Sequence, residues 1–278
     1  MAMNKIKKLV TNEYVFSIGS RIFIALVGFI TQILIARYLG AELKGRVAFI
    51  SSIVTIGAFV SCIGSNQLFP QLKTTDRYNN SDNFINEFMS IVVIFFAILS
   101  IIVFSVSIPF FNKYDFFIGL AIVPFYGYSA VTGMVALIKS PNKRNFLVII
   151  ASVFELLFVL YLFFFQKNNK NILFGALSLL IAEFFKCVLF TILVKPKIRF
   201  GYIRKDLIVI ILKKGFFLML AQLFIVLNYK IDVVMLKQYR SVSLADIGVY
   251  SIGIAIAEKI LLIPDAIKDI LLKDLSNN

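Results

Sequence analysis

FLVIIASVFELLFVLYLFFF, residues 146–165, is twenty residues long and contains one charged residue, Glu155. A helix needs about 20 mostly apolar residues to cross a bilayer's hydrocarbon core, and this stretch meets that length with almost no polar interruption. Pro141 and the basic pair Lys143 and Arg144 stand before it, and the polar run Gln166–Asn171 follows. The pattern repeats on both sides. Spans are predicted at about residues 14–36, 47–64, 87–108, 116–138, 146–165, 172–194 and 215–236. A shorter, more amphipathic eighth lies at about 247–263. The connections are too short for an extramembrane domain, and the longest, residues 70–83, has nothing resembling a core.

Composition agrees with this reading. Sixty per cent of the 278 residues are hydrophobic and 16% are charged; mean hydropathy is +0.90. A soluble domain is nearer half apolar and a quarter charged, so one aqueous core cannot hide this excess. The expected fold class is therefore all-α, a polytopic transmembrane bundle of about eight spans. Thirty Phe and no Trp leave the eleven Tyr to supply any interfacial belt.

The net charge of +14 would point to nucleic acid in a soluble protein. Here the charges fall in short loops, where they set topology and meet anionic head groups, so no nucleic acid partner is expected. With the N-terminus inside, the inner connections carry fifteen Lys and Arg against eight outside. Residues 195–214 supply much of that bias, which favours a cytoplasmic N-terminus. The first apolar stretch is too long, and too polar at its start, for a cleaved signal peptide, and reads as a retained span. The absence of His removes His-based catalysis and His metal ligands. Cys62 and Cys187 lie inside separate apolar segments, so neither a disulfide framework nor a metal site is expected. No phosphate loop, acidic metal motif or nucleophile elbow is present, so neither a catalytic residue nor a cofactor is expected.

Ionisable groups inside spans carry the functional signal, because each costs about 2.5–3.5 kcal/mol at a helix centre on insertion scales. Arg21 lies about two turns into the first span, beside Ser17 and Ser20 and with Gln32 further along. Its guanidinium suits phosphate oxygens in a cavity, or it snorkels to nearby head groups. Glu183 and Lys186 are three apart and share a helical face; they neutralise each other, or Lys186 faces a cavity as an anion site. Glu155 has no local partner and can pair with Lys186 or Arg21, carry a proton in a coupled cycle, or be buried neutral. In the seventh span, Gln222, Tyr229 and Asp232 fall on one face, with Lys230 beside them. Such a stripe normally faces a bundle interior or a watery cavity; alternatively Lys230 and Asp232 mark the helix end.

Two connections echo each other. Residues 37–49 join spans one and two and end in Gly45 to Phe49; residues 237–250 join spans seven and eight and end in Gly248 to Tyr250. A six-helix unit repeated in parallel would produce this echo. Residues 1–200 then form a first six-helix lobe, and 201–278 begin a second that stops after two helices.

Ser20-Arg21, followed by Ile35-Ala-Arg-Tyr-Leu-Gly-Ala-Glu-Leu-Lys-Gly45, resembles the opening of polysaccharide and O-antigen flippases. These belong to the superfamily that also holds multidrug-and-toxin exporters. Asn228-Tyr-Lys-Ile-Asp232, Ile247-Gly-Val-Tyr250 and Ala257-Glu258 resemble that family's seventh and eighth helices. The resemblance implies two six-helix lobes around a cationic cavity, flipping undecaprenyl-pyrophosphate-linked oligosaccharide from the cytoplasmic leaflet by alternating access. It implies a bacterial cytoplasmic membrane location and a lipid-linked oligosaccharide, membrane lipids, a polysaccharide polymerase and chain-length machinery as partners. Arg21 and Asp232 match family positions; Gln222, Lys230 and Lys186 stand beside them as candidate substrate contacts, and Glu155 and Glu183 as candidate coupling carboxylates. Family members have a dozen or more spans and this sequence has about eight. It is expected to be the C-terminally truncated front part of a flippase, or a shortened chain working as an oligomer. The competing expectations are a cation-coupled multidrug exporter, a membrane-embedded polysaccharide-assembly enzyme, and an inactive fragment.

Overall fold

The computed structural model describes residues 2–74, 82–106, 113–166, 171–197, 204–239 and 241–258, with scattered positions between 264 and 275. The described residues form helices α1 (Ala2–Leu39), α2 (Ala41–Ser61), α3 (Ser65–Lys73), α4 (Asp82–Val106), α5 (Lys113–Lys139), α6 (Pro141–Phe165), α7 (Ile172–Val194), α8 (Lys205–Leu236) and α9 (Leu244–Ala257). Seven helical stretches are long and apolar enough to cross a membrane, and α9 is a shorter apolar helix. The protein is a polytopic helical membrane bundle of about eight spans. Among the described residues there is no strand; with no water in hydrocarbon, helices satisfy their own backbone groups.

Short breaks set the helix order. Gly40, at φ 78°, is the whole connection between α1 and α2, so the predicted polar turn at 37–49 is instead mostly helical. Ser140 alone separates α5 from α6, and Pro141 begins α6, where its missing N–H costs no helical bond. At the far end of α2, Ile63 and Gly64 both adopt positive φ and turn the chain into α3. The predicted loop from residue 70 thus begins as helix. Phe69 of α3 stacks on Phe84 of α4 at 5.7 Å and tilts against Phe88 at 5.3 Å, which pins this extra helix to the bundle.

Helix α2 is central and touches α1, α4, α5, α7, α8 and α9. Arg46 near its start pairs with the buried Asp115 of α5 at 2.8 Å. Large side chains such as Phe164, Phe165, Phe217 and Phe224 are exposed around the bundle, as a lipid-facing surface requires. Helix α8 begins ten residues before the predicted span. Leu207 and Ile211 bury completely on one face while Lys213 and Lys214 face outward, so the helix runs through the basic connection. Arg204 caps that extension by a bidentate pair with Glu87 of α4, with Nη2 2.7 Å from Oε2.

Helices α8 and α9 join the first six spans through close backbone contacts. A Cβ on Gly45 would lie 1.8 Å from the Leu244 carbonyl oxygen, and one on Gly248 would lie 2.0 Å from that of Ala41. The two glycines of the sequence echo therefore face each other. Gly64 and Gly215 make a second such contact, where a Cβ on Gly64 would stand 2.5 Å from the Gly215 oxygen. Phe49, Val233 and Ile247 pack as a small core beside the first pair. Of the charges counted for orientation, Arg77, Lys167, Lys170, Arg199 and Arg240 lie outside the described residues, as does most of the stretch after Glu258.

Candidate functional site

Beside the Gly45–Gly248 contact, α1, α2, α7, α8 and α9 line a half-open cavity of about 180 Å³. Helix α2 supplies Lys44, Ser51 and Ser52, spaced so that all three lie on one face. Helix α8 brings Tyr229 and Lys230, α9 brings Ser251, and Glu258 caps it. Lys44 is 7% exposed and its ammonium donates to Gln32 of α1. Lys230 donates to Glu258 at 2.7 Å, with both side chains partly open, at 25% and 33%. Two ammonium groups thus line one polar chamber inside an apolar bundle, with one carboxylate among them. Such a chamber suits an anion carrying several oxygens, because each phosphate oxygen can replace Glu258 or Gln32 as an acceptor.

A second charged cluster occupies the neighbouring helices. Glu183 of α7 accepts from Lys186 at 2.7 Å and from the Ser129 hydroxyl of α5 at 2.6 Å. Its side chain is only 11% exposed. The Tyr126 hydroxyl hydrogen-bonds to Thr55 of α2 and lies in the field of both Glu183 and Lys186. Glu155 of α6 is half-buried within electrostatic reach of both Lys44 and Lys186, and so links the two clusters. Six ionisable groups, three Lys and three Glu, therefore run through the bundle without net charge.

The candidate residues are distributed unevenly over these clusters. Lys230 lines the cavity, and Lys186, Glu183 and Glu155 form or approach the adjoining cluster. Gln222 instead accepts from Gln67 of α3 at 3.1 Å. Asp232 is exposed and accepts from the Tyr250 hydroxyl at 3.1 Å, on a different face of α8 from Lys230. It borders a groove of about 520 Å³ with Tyr239, Val242 and Tyr250. Arg21 is half-buried on α1, roughly 16 Å along the helix from Gln32, and is not among the residues lining the Lys230 cavity. Next to it, Asn145 of α6 donates to Ser17 at 3.3 Å.

Lys44 was the main omission, because four residues after Gly40 it reads as a loop charge. A signal was present: Lys44, Ser51, Ser52 and Thr55 repeat at helical spacing, and the stretch from Val47 to Ile50 between them is apolar. Among the described residues, no group of His, Cys, Asp and Glu is arranged to hold a metal ion.

No curated protein and no solved structure matches this chain. A family model described as polysaccharide biosynthesis protein matches residues 10–264, a stretch that runs from within α1 to beyond α9 and includes both charged clusters. Multi-pass, helical and matched over nearly its whole length, the chain belongs to the polysaccharide biosynthesis protein family.

Proposed function

We propose that this membrane protein moves a lipid-linked oligosaccharide, carried on undecaprenyl pyrophosphate, from the cytoplasmic to the outer leaflet for surface polysaccharide assembly. The observation that carries the reading is the chamber that Lys44 and Lys230 both line. Lys230 gives up only a half-open pair with Glu258 to meet an anion, and a pyrophosphate carries the matching charge and acceptors. At about 180 Å³ the chamber suits that linking group rather than the sugar. The sugar then has to pass beyond the chamber, which requires α2 and α9 to part at Gly45 and Gly248. The protein is a transporter in this reading, not an enzyme.

With the N-terminus cytoplasmic in a bacterial inner membrane, the starts of α2 and α9 face outward. The Gly45–Gly248 contact then closes the outer side, and the Gly64–Gly215 contact holds α8 to the end of α2 at the inner side. Glu155, within electrostatic reach of both Lys44 and Lys186, is the coupling carboxylate of choice. Arg21 serves as a first contact for the pyrophosphate near the inner surface, Lys186 balances the coupling cluster, and Gln222 and Asp232 hold α8 in place. The polymerase and chain-length machinery act on the delivered units.

Reconstitution of the full chain into vesicles tests the reading. The rate at which a lipid-linked oligosaccharide becomes accessible to an impermeant glycosidase should exceed that of empty vesicles by at least tenfold. Lys44→Ala and Lys230→Ala should each remove most of that gain. A rate equal to that of empty vesicles, or one indifferent to both lysines, would overturn it.

A further inference from the structure

A second, larger groove of about 780 Å³ opens at the opposite end of the bundle from the Gly45–Gly248 seam, where α5 ends, α6 begins and α7 ends. Three cations border it, each from a different helix. Lys139 is the last residue of α5, Lys143 lies in the first turn of α6, and Lys195 is the C-cap of α7. No acidic side chain is among the described residues that line it. This distinguishes it from the Lys230 chamber, where Glu258 answers the cation. Deeper, the lining turns apolar: Phe146 faces Leu189 and Ile192 across the cleft between α6 and α7. Ile192 is 61% exposed and Phe146 54%, so this wall opens to the surroundings rather than into the bundle. The Asn142 Oδ1 atom is buried beside the lysines and has no hydrogen-bond partner.

The order of these groups is that of a phospholipid. Charges lie at the helix ends, where head groups lie, and the apolar cleft runs from them towards the hydrocarbon. From Lys195 back to Leu189 is roughly 9 Å along α7, enough to separate a phosphate from the first part of an acyl chain. Basic pockets between transmembrane helices are suited to anionic lipid for this reason, while a soluble anion gains nothing from the apolar wall. We propose that this groove binds one anionic glycerophospholipid, its phosphate among Lys139, Lys143 and Lys195 and an acyl chain between Phe146 and Ile192. The bound lipid bridges α5, α6 and α7 and holds the first six-helix unit together. The site stands whether or not the protein flips a sugar.

The test uses the full chain in nanodiscs of phosphatidylcholine alone, or with about one part in four phosphatidylglycerol. Phosphatidylglycerol should raise the unfolding temperature by roughly 3 °C, as a ligand of the folded state does. Lys139→Gln, Lys143→Gln and Lys195→Gln combined should remove most of that shift while matching the parent in phosphatidylcholine. The same charge change at Lys205, Lys213 and Lys214 should retain it. Ile192→Trp, which fills the cleft and keeps every charge, should lose it too, and this serves if the triple variant does not fold. The proposal is overturned if the Lys205, Lys213 and Lys214 variant loses the shift equally. It is also overturned if Ile192→Trp keeps the shift, or if inorganic phosphate with phosphatidylcholine reproduces it.

Discussion

Two lysine–glutamate pairs in this bundle share a length of 2.7 Å and differ in almost everything else. Lys186 and Glu183 belong to one helix, three residues apart, and Ser129 of α5 closes the remaining side of the carboxylate. Lys230 and Glu258 belong to neighbouring segments and border a cavity. Glu183 is 11% exposed, whereas Glu258 is 33% exposed. A buried pair with its acceptors filled stabilises its surroundings and leaves nothing for a ligand, because breaking it strands a charge. A half-open pair across a cavity costs little to break, so its lysine can exchange one anionic partner for another. Distance alone does not separate structural ion pairs from functional ones; the number of acceptors filled and the access to the cavity do.

The comparison can be broken most drastically at the glycine seam. Gly248→Leu drives a side chain into the Ala41 carbonyl, which cannot yield as a flexible side chain would. Helix α9 should leave α2, and with it the Lys230–Glu258 pair, while Lys186–Glu183 stays intact. Amine-reactive labelling read by mass spectrometry should then show Lys230 labelled at least tenfold faster and Lys186 unchanged. The next largest effect falls on the buried pair. Glu183→Ala should cost about 3 kcal/mol by taking from Lys186 its hydrogen-bonded carboxylate, as measured by unfolding in detergent. Glu258→Ala should cost about 1 kcal/mol or less, since Lys230 can reach water in the cavity. If the two losses are equal, the distinction between the pairs fails. The smallest effect is expected at Asp232, where Tyr250→Phe removes one exposed hydrogen bond and should change stability by less than about 0.5 kcal/mol.

The architecture was legible because apolar length is a direct readout of bilayer thickness, as residues 146–165 show. The helix breaks were less so. Hydropathy averages over side chains and is blind to backbone, so a single residue such as Gly40 at φ 78° looked like a thirteen-residue polar turn. The continuation of α8 to Lys205 was hidden in the same way, since its buried face is only Leu207 and Ile211 per two turns. At the site, ionisable residues in mid-span stood out, and Lys186 and Glu183 paired at the distance their spacing implied. Partners on other helices did not stand out. Gln222 and Asp232 share a helical stripe with Tyr229, yet Gln67 of α3 takes the first and Tyr250 of α9 the second. Spacing places side chains on a face; only packing decides which neighbour that face meets.

In the proposed transport cycle, Lys230 is held by Glu258 until a pyrophosphate takes its place. Binding of inorganic pyrophosphate to the detergent-purified full chain, measured by isothermal titration calorimetry, tests it most directly. Opposite signs are expected: Glu258→Gln, which removes the internal competitor, tightens binding roughly tenfold, and Lys230→Gln abolishes it, with Glu183→Gln close to the parent. Equal affinity in the parent, Glu258→Gln and Lys230→Gln proteins would contradict it.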